Sequence, residues 1–245
     1  MCAQAVAPRR GARTAWLRVG GLCRDERLER LGVAHGVSLR VLGDMKSAAC
    51  RARALAQGGL AGKAPRLLKQ VHGTEIVTIL AAGEENIARA DGWVSAARGV
   101  PVAVYVADCL PIFLWDEGLR AVGVLHAGWK GLAAGMPAAA VSAFRSLGLE
   151  ADGLCVSIGP HAGPCCYRVG AEFRSLFRAE SFVSDARGGL RLDLGVEAKA
   201  RFVEAGVDAR NVRVSGDCTI CAAEDFFSFR RDRMERRILA FIARP

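Results

Sequence analysis

At 245 residues, with 51% hydrophobic and 24% charged residues, the chain reads as an ordinary folded protein long enough to bury a large core. No stretch approaches the roughly 18 apolar residues of a membrane span and the N-terminus lacks a signal-like apolar segment, so a cytoplasmic protein without a membrane partner is expected. The net charge of +9 is carried by scattered arginines with few aromatics among them, which argues against nucleic acid and leaves room for a small anionic partner.

Residues 1–30, rich in Arg, Ala and Gly, read as a weakly structured N-terminal segment with one helical turn at DERLERL. Residues 31–245 read as a single catalytic α/β domain. In order, 33–43 alternates like a strand, 44–64 runs as a helix closing at Gly58 and Gly59, and LLKQVH and IVTIL form two strands around Gly73. DGWVS turns into a strand. VPVAVYVAD is a continuous apolar run, the pattern of a strand covered on both faces. IFLW and AVGVLH follow as its neighbours. From Gly131 to Leu147 the apolar spacing fits one helical face, with Pro137 delaying or bending the helix and Gly148 stopping it. LCVSIG is a further buried strand, and a helix is expected over 170–179. Asp193 should cap a helix reaching Gly206 with Val196, Ala200 and Val203 inward. VRVSGDCTIC gives a strand and turn, FFSFRRDRMERR a basic loop or helix, and ILAFIA a last strand. With no repeat and no linker, the pattern specifies one mixed α/β domain.

Three of the apolar runs end on a side chain able to bind a borderline-soft cation: His72, Cys109 and His126. Three protein ligands with a fourth position open is the arrangement of a catalytic zinc. The three lie far apart in sequence, unlike the local HExxH pattern, so spacing alone leaves a shared metal and plain structural roles both open. Asp108 and Gln70 flank two of these residues and are candidates to orient them. Cys218-x-x-Cys221 is a rival zinc or redox motif, but a single CxxC is a weak signal. Adjacent Cys165 and Cys166 cannot both point inward from a strand, and these four cysteines are read as structural. His161, in a Pro/Gly loop, is expected to meet solvent. HAGWKGLAAG places glycines and Lys130 before a helix, where backbone N–H groups favour anions although the P-loop pattern is absent. Arg40, Lys130, Arg230 and Arg231 are the cations expected near such an anion.

The segments KQVHG, DGWV, ADCLPIFLWD, HAGWKG, IGP…GPCCYRVG, DCT and FFSFRRD, in this order across 31–232, resemble a bacterial family long described as polyphenol oxidoreductase or laccase-like. The same family was later assigned as zinc-containing purine nucleoside phosphorylases and also described as peptidoglycan-editing factors. The resemblance implies an α/β domain layered α-β-β-α with its metal site at strand ends. It implies one zinc per chain on His72, Cys109 and His126, which join Asp108 as the catalytic set. It also implies phosphorolysis of adenosine, inosine, guanosine or methylthioadenosine to base and ribose 1-phosphate. Arg40 falls within the family's His-Gly-Phe-Ser-Thr-Arg pattern, here HGVSLR, and with Gln70, Lys130 and Arg230 makes up the expected substrate- and phosphate-binding group. Adenosine deamination is an expected side activity, although the HxE…PCxxC deaminase signature is absent. Three departures stand out: Lys130 for the usual Arg, Arg168 for Glu, and Met234-Glu235 for Thr-Gly. The chain's four histidines accommodate a stray copper but not a multicopper laccase centre. Two competing functions are a cysteine or zinc amidase acting on cell-wall precursors, with Cys109 as nucleophile and His126 as base, and a zinc-stabilised interaction protein without activity.

Overall fold

In the computed structural model, which describes residues 16–83, 88–184 and 188–245, the chain opens on a hairpin of β1 (Trp16–Val19) and β2 (Leu22–Asp25). Gly20 and Gly21 take φ of +58° and +83° at its turn, where a side chain would be strained. The buried Trp16 anchors the hairpin in the core. Residues 16–30 are therefore regular structure and not the loose segment the composition suggests; residues 1–15 lie outside the described residues. The Asp25 carboxylate accepts the N–H groups of Arg27 and Leu28 and caps α1 (Glu26–Arg30), which falls on DERLERL.

β3 (Ala34–Ser38) and α2 (Ala48–Gln57) follow, with Gly59 at φ +83° just past the helix end. β4 (Ile76–Ile79), β5 (Gly92–Ser95), β6 (Val102–Val106), β7 (Leu110–Asp116) and β8 (Val122–Ala127) occupy the centre of the chain. The helical pattern after Gly131 resolves into two helices, α3 (Trp129–Ala133) and α4 (Met136–Arg145). They break at Gly135, whose φ is +97°, and Pro137 sits in the first turn of α4, where its missing N–H costs nothing. β9 (Leu154–Ile158), a short hairpin of β10 (Phe182–Ser184) and β11 (Leu190–Leu192), α5 (Leu194–Glu204), β12 (Val212–Val214), α6 (Phe229–Asp232) and β13 (Ile238–Ala243) complete the chain.

The strands form two large sheets, β1-β2-β3-β13-β6 and β12-β9-β7-β8-β5-β4. Strand β7 shows why they stack. All seven of its residues are buried, and they alternate between two cores. Leu110, Ile112 and Leu114 meet the cluster containing Val141 and Phe144 of α4 and Phe202 of α5. Phe113 and Trp115 meet Val104, Val106, Ala240 and Ile242 of the other sheet. The far face of that second sheet, with Ala103, Leu239 and Phe241, is covered by Leu55 of α2. The protein is a single mixed α/β domain layered helix, sheet, sheet, helix.

Several local expectations shift. LLKQVH forms no strand; Arg66 makes one isolated bridge to Val102, and the chain then runs irregularly to His72. Residues 171–175 form a 3₁₀ turn, not the expected helix. Asp193 does cap α5, accepting from Val196 N at 2.9 Å. The buried face is nevertheless Leu194, Ala198 and Phe202, while Val196 and Val203 are exposed. Apolar valines at helical spacing mislead here because the larger Phe202 and Leu194 decide which face is buried.

Candidate metal centre

His72, Cys109 and His126 converge. Their ligating atoms all lie within 4.8 Å of one another, and the two imidazoles meet edge to face with centroids 4.7 Å apart. His126 is buried, Cys109 half-buried and His72 exposed, so the cluster is walled on one side and open on the other. Two glycines of HAGWKG make this approach possible. A Cβ on Gly128 would stand 3.0 Å from Cys109 Sγ and 3.3 Å from His72 Cδ2, and one on Gly131 would stand 3.0 Å from the Gly73 carbonyl oxygen. Both glycines serve close packing under the cluster rather than a phosphate cradle.

Two backbone positions beside the cluster are strained. His72 has φ +60° and Asp108 has φ +87°, each unusual for a residue with a side chain. Each is held by a carboxylate. Asp91, fully buried, accepts the consecutive N–H groups of Val71, His72 and Gly73 at 3.1, 2.9 and 2.7 Å, fixing the turn that presents His72. The same carboxylate lies 2.8 Å from His126 Nδ1, so Nε2 faces the cluster. Asp91 thus orients two of the three ligands. In the sequence it is only the first residue of DGWV, with nothing local to mark this role.

Asp108 turns away from the ligands. It accepts from Thr219 Oγ1 at 2.7 Å, Ser228 Oγ at 3.0 Å and Arg230 N at 2.7 Å. It ties the 219–230 segment to the residue before Cys109, so the positioning it supplies acts on that segment and not on a ligand side chain. Gln70 likewise spends its amide on architecture: Nε2 donates to Tyr105 O at 2.8 Å and Oε1 accepts from Tyr105 N at 2.7 Å, docking the irregular 67–72 segment on β6.

The electrostatics suit metal capture. Burial pushes the Cys109 thiol up, but the neighbouring charge and hydrogen bonds of His126 and His72 outweigh it and bring it down to about 6. For His126 burial works downward, and the Cys109 charge and the Asp91 hydrogen bond raise it to about 9. Without metal the cluster is a thiolate beside an imidazolium. A thiolate with two imidazoles, oriented from behind and open in front, fits a borderline-soft cation.

The cations separate into two groups. Lys130 is exposed, its ammonium 5.6 Å from the Trp129 ring centroid, with no carboxylate partner among the described residues. Arg230 lies over the Tyr167 ring at 4.3 Å and donates to the Arg168 carbonyl at 2.6 Å. Tyr167 is held up near 12, first by burial and also by the charges of Cys109 and Asp108, which places it beside the centre. Its signal, the Tyr of GPCCYRVG, is present in the sequence without a role attached. Arg40 donates to the Ala223 carbonyl at 3.2 Å and lies 3.9 Å from Asp232 and 5.1 Å from the Phe227 ring centroid. Arg231 is taken up by the 219–226 carbonyls and Asp232. The remaining histidines are structural. His35 accepts Asp25 N and faces the Val33 carbonyl, and His161, expected in solvent, is buried with Nδ1 on the Gly159 carbonyl.

Known proteins carry the same architecture. The crystal structure of YlmD from Geobacillus stearothermophilus superposes with a TM-score of 0.81 over 95% of this chain and 99% of that one, at 26% identity. The Pseudomonas aeruginosa protein named purine nucleoside phosphorylase PA4543 is 37% identical over 185 residues, 73% of each chain. The Escherichia coli protein named purine nucleoside phosphorylase YfiH is 35% identical over 199 residues, 78% of each. No helix among the described residues is long and apolar enough to cross a membrane. The profile of one family matches residues 24–245, nearly the whole folded region, and the chain belongs to that family, described as multi-copper polyphenol oxidoreductase laccase.

Proposed function

We propose that the protein is a zinc-dependent purine nucleoside phosphorylase, cleaving a nucleoside with inorganic phosphate to the free base and ribose 1-phosphate. The observation that carries this reading is the convergence of His72, Cys109 and His126, oriented by Asp91 and open to solvent on the His72 side. Relatives at 35–37% identity named purine nucleoside phosphorylase support the substrate class.

Zinc bound by these three side chains supplies a Lewis acid at the open position. The chain's own residues do the rest. Asp91 keeps the proton of His126 on Nδ1, so that Nε2 stays a lone-pair donor. The exposed Lys130 ammonium and the Arg230 guanidinium are the cations available to hold phosphate. Arg40, already shared with Ala223 and Asp232, is the third member of that group. The half-buried Trp129 ring, next to Lys130, is the apolar surface available to a purine or ribose. Phosphate attacks C1′ as the glycosidic bond breaks, and a reaction with so much charge separation depends on orientation and fixed dipoles. Adenosine deamination at the same centre is a side activity of this reading.

The thiolate–imidazolium character of Cys109 and His126 favours one second reading, amide hydrolysis of a cell-wall precursor with Cys109 as nucleophile. One assay separates them: purified zinc-loaded protein with inosine and phosphate, and separately with a muramyl peptide. Hypoxanthine and ribose 1-phosphate, lost on chelation, support phosphorolysis. Peptide cleavage without nucleoside turnover overturns it.

A further inference from the structure

Away from the histidines, four cysteines from two distant stretches meet: Cys165 and Cys166 of GPCCY, and Cys218 and Cys221 of DCTIC. Their Sγ atoms all lie within 4.8 Å of one another. Cys221 Sγ is 3.4 Å from that of Cys165 and 3.3 Å from that of Cys166. Adjacent cysteines can face one way here because residues 164–166 form a turn and not a strand, which removes the objection raised by the sequence.

Three arrangements place four cysteine sulfurs so close: two disulfides, an iron–sulfur cluster, or a single ion. A disulfide needs one partner at about 2.05 Å, yet Cys221 stands almost equally far from two thiols. A multi-iron cluster puts its thiolates on different irons and spreads them outward. A single zinc with four thiolates at about 2.3 Å has sulfur–sulfur edges of about 3.8 Å, the scale observed.

The surroundings are those of a thiolate site. Cys218 Sγ accepts from Gly163 N at 3.3 Å, and the N–H groups of Ile220 and Cys221 also point at it. A Cβ on Gly163 would come within 3.2 Å of Cys218 Cβ and 3.5 Å of Cys165 Sγ, so a glycine is needed for the two stretches to close. Four thiolates around a dication carry a net charge of −2. Arg191, which holds the Cys165 carbonyl at 2.7 Å, brings positive charge beside it, while Arg231 grips the Thr219 and Ile220 carbonyls and is itself paired with Asp232. An accidental gathering of buried apolar cysteines would need none of this.

We propose that Cys165, Cys166, Cys218 and Cys221 bind a second metal ion, a tetrahedral zinc with no open position. Each thiol gives up its proton to solvent as the ion enters, and no oxidant is required. The site clamps the loop bearing Tyr167 to the turn bearing Thr219, the partner of Asp108. It is structural, and it stands whether or not the protein is a phosphorylase.

The test is metal analysis and zinc-edge X-ray absorption on the full chain, loaded with zinc and kept reduced. The parent protein should hold two zinc ions, with more sulfur than nitrogen around the average ion. The His72→Ala/His126→Ala variant should keep one zinc with sulfur ligands only. Cys166→Ser/Cys221→Ser should lose that zinc and keep the other. One zinc in the parent, bound by more nitrogen than sulfur and lost entirely from the histidine variant, overturns the proposal. So does an intact mass showing the quartet as disulfides under reducing conditions. If a variant fails to fold, the stoichiometry and ligand ratio of the parent alone decide between one ion and two.

Discussion

Replacing Asp91 by Asn exchanges one carboxylate oxygen for an NH₂ group and should disarm the metal centre. The carboxylate accepts four hydrogen bonds: Oδ1 from His72 N and the His126 ring, Oδ2 from Val71 N and Gly73 N. An amide can satisfy only one side. With its NH₂ toward Val71 and Gly73, two half-buried N–H groups face a donor. With its NH₂ toward His126, the imidazole must turn Nδ1 into an acceptor, which moves its proton to Nε2 and removes the lone pair a metal needs. Leaving two donors unsatisfied costs about 1–3 kcal/mol each, so roughly 2–6 kcal/mol in all, a large share of the 5–15 kcal/mol that holds a domain together. The strained φ of +60° at His72 loses its restraint as well. Losing the partner behind a histidine ligand typically weakens metal binding by about 10–100-fold. Zinc affinity can be followed by competition with a chromophoric chelator, and stability by urea unfolding with and without a chelator. An Asp91→Asn variant whose zinc affinity and unfolding midpoint both match the parent would refute the orientation argument.

Other expectations follow from the same geometry. Gly128→Ala, whose Cβ would press on Cys109 Sγ at 3.0 Å, should lower zinc affinity more than it lowers thermal stability, as metal titration and calorimetry will show. Gln70→Leu should destabilise by about 1–3 kcal/mol through the unpaired Tyr105 groups while leaving the apparent Michaelis constant for phosphate unchanged, a split read from unfolding and kinetics. Lys130→Met should cut phosphorolysis by about 10–150-fold, the worth of one charge-assisted contact, and Lys130→Arg should keep it; parent-like kinetics in Lys130→Met take the residue out of the site. Zinc affinity should climb with pH. Between pH about 6 and about 9 the metal displaces one proton, that of His126, so the logarithm of the affinity rises with slope near one. Below about 6 Cys109 is protonated as well and the slope steepens, whereas above about 9 it flattens; chelator competition across this range measures it.

Much of this is legible in the chain. The apolar run before Cys109 and the AVGVLH strand are patterns that a strand covered on both faces must have, and β6 and β8 fall on them. His72 is a different case, because the strand expected to deliver it does not form. A turn held by Asp91, nineteen residues further on, presents it instead. That contact is tertiary, and no local pattern announces a carboxylate that collects three N–H groups from another segment. The Cys165–Cys166 and Cys218–Cys221 pairs are hidden in the same way: each is weak alone, and the parallel pairing of β9 with β12, continued by the bridge between His161 and Cys218, brings the two stretches together. Gln70 and Asp108 stand beside the ligands in sequence, but adjacency does not say which way a side chain points.

The family's description as a multi-copper laccase meets a physical limit in this chain. Such an enzyme needs a type 1 copper on two histidines and a cysteine and, separately, a trinuclear cluster built from many more histidines. Only four histidines exist here. His35 has both ring nitrogens engaged by Asp25 N and the Val33 carbonyl, and His161 is buried against Gly159 with Gly195 packed at its Nε2 face. Both serve the scaffold, which leaves His72 and His126, and both are in one site with Cys109. That set of two imidazoles and a thiolate is, by count, also what a blue copper takes, so the ligands alone admit either metal. The axial methionine that tunes a blue copper has no evident donor among the described residues: Met45 and Met136 are buried in separate apolar clusters, and Met234 is exposed. A copper here would therefore sit alone, with no partner cluster to receive its electrons. His72, Cys109 and His126 make one mononuclear site, which is less than a multicopper centre requires.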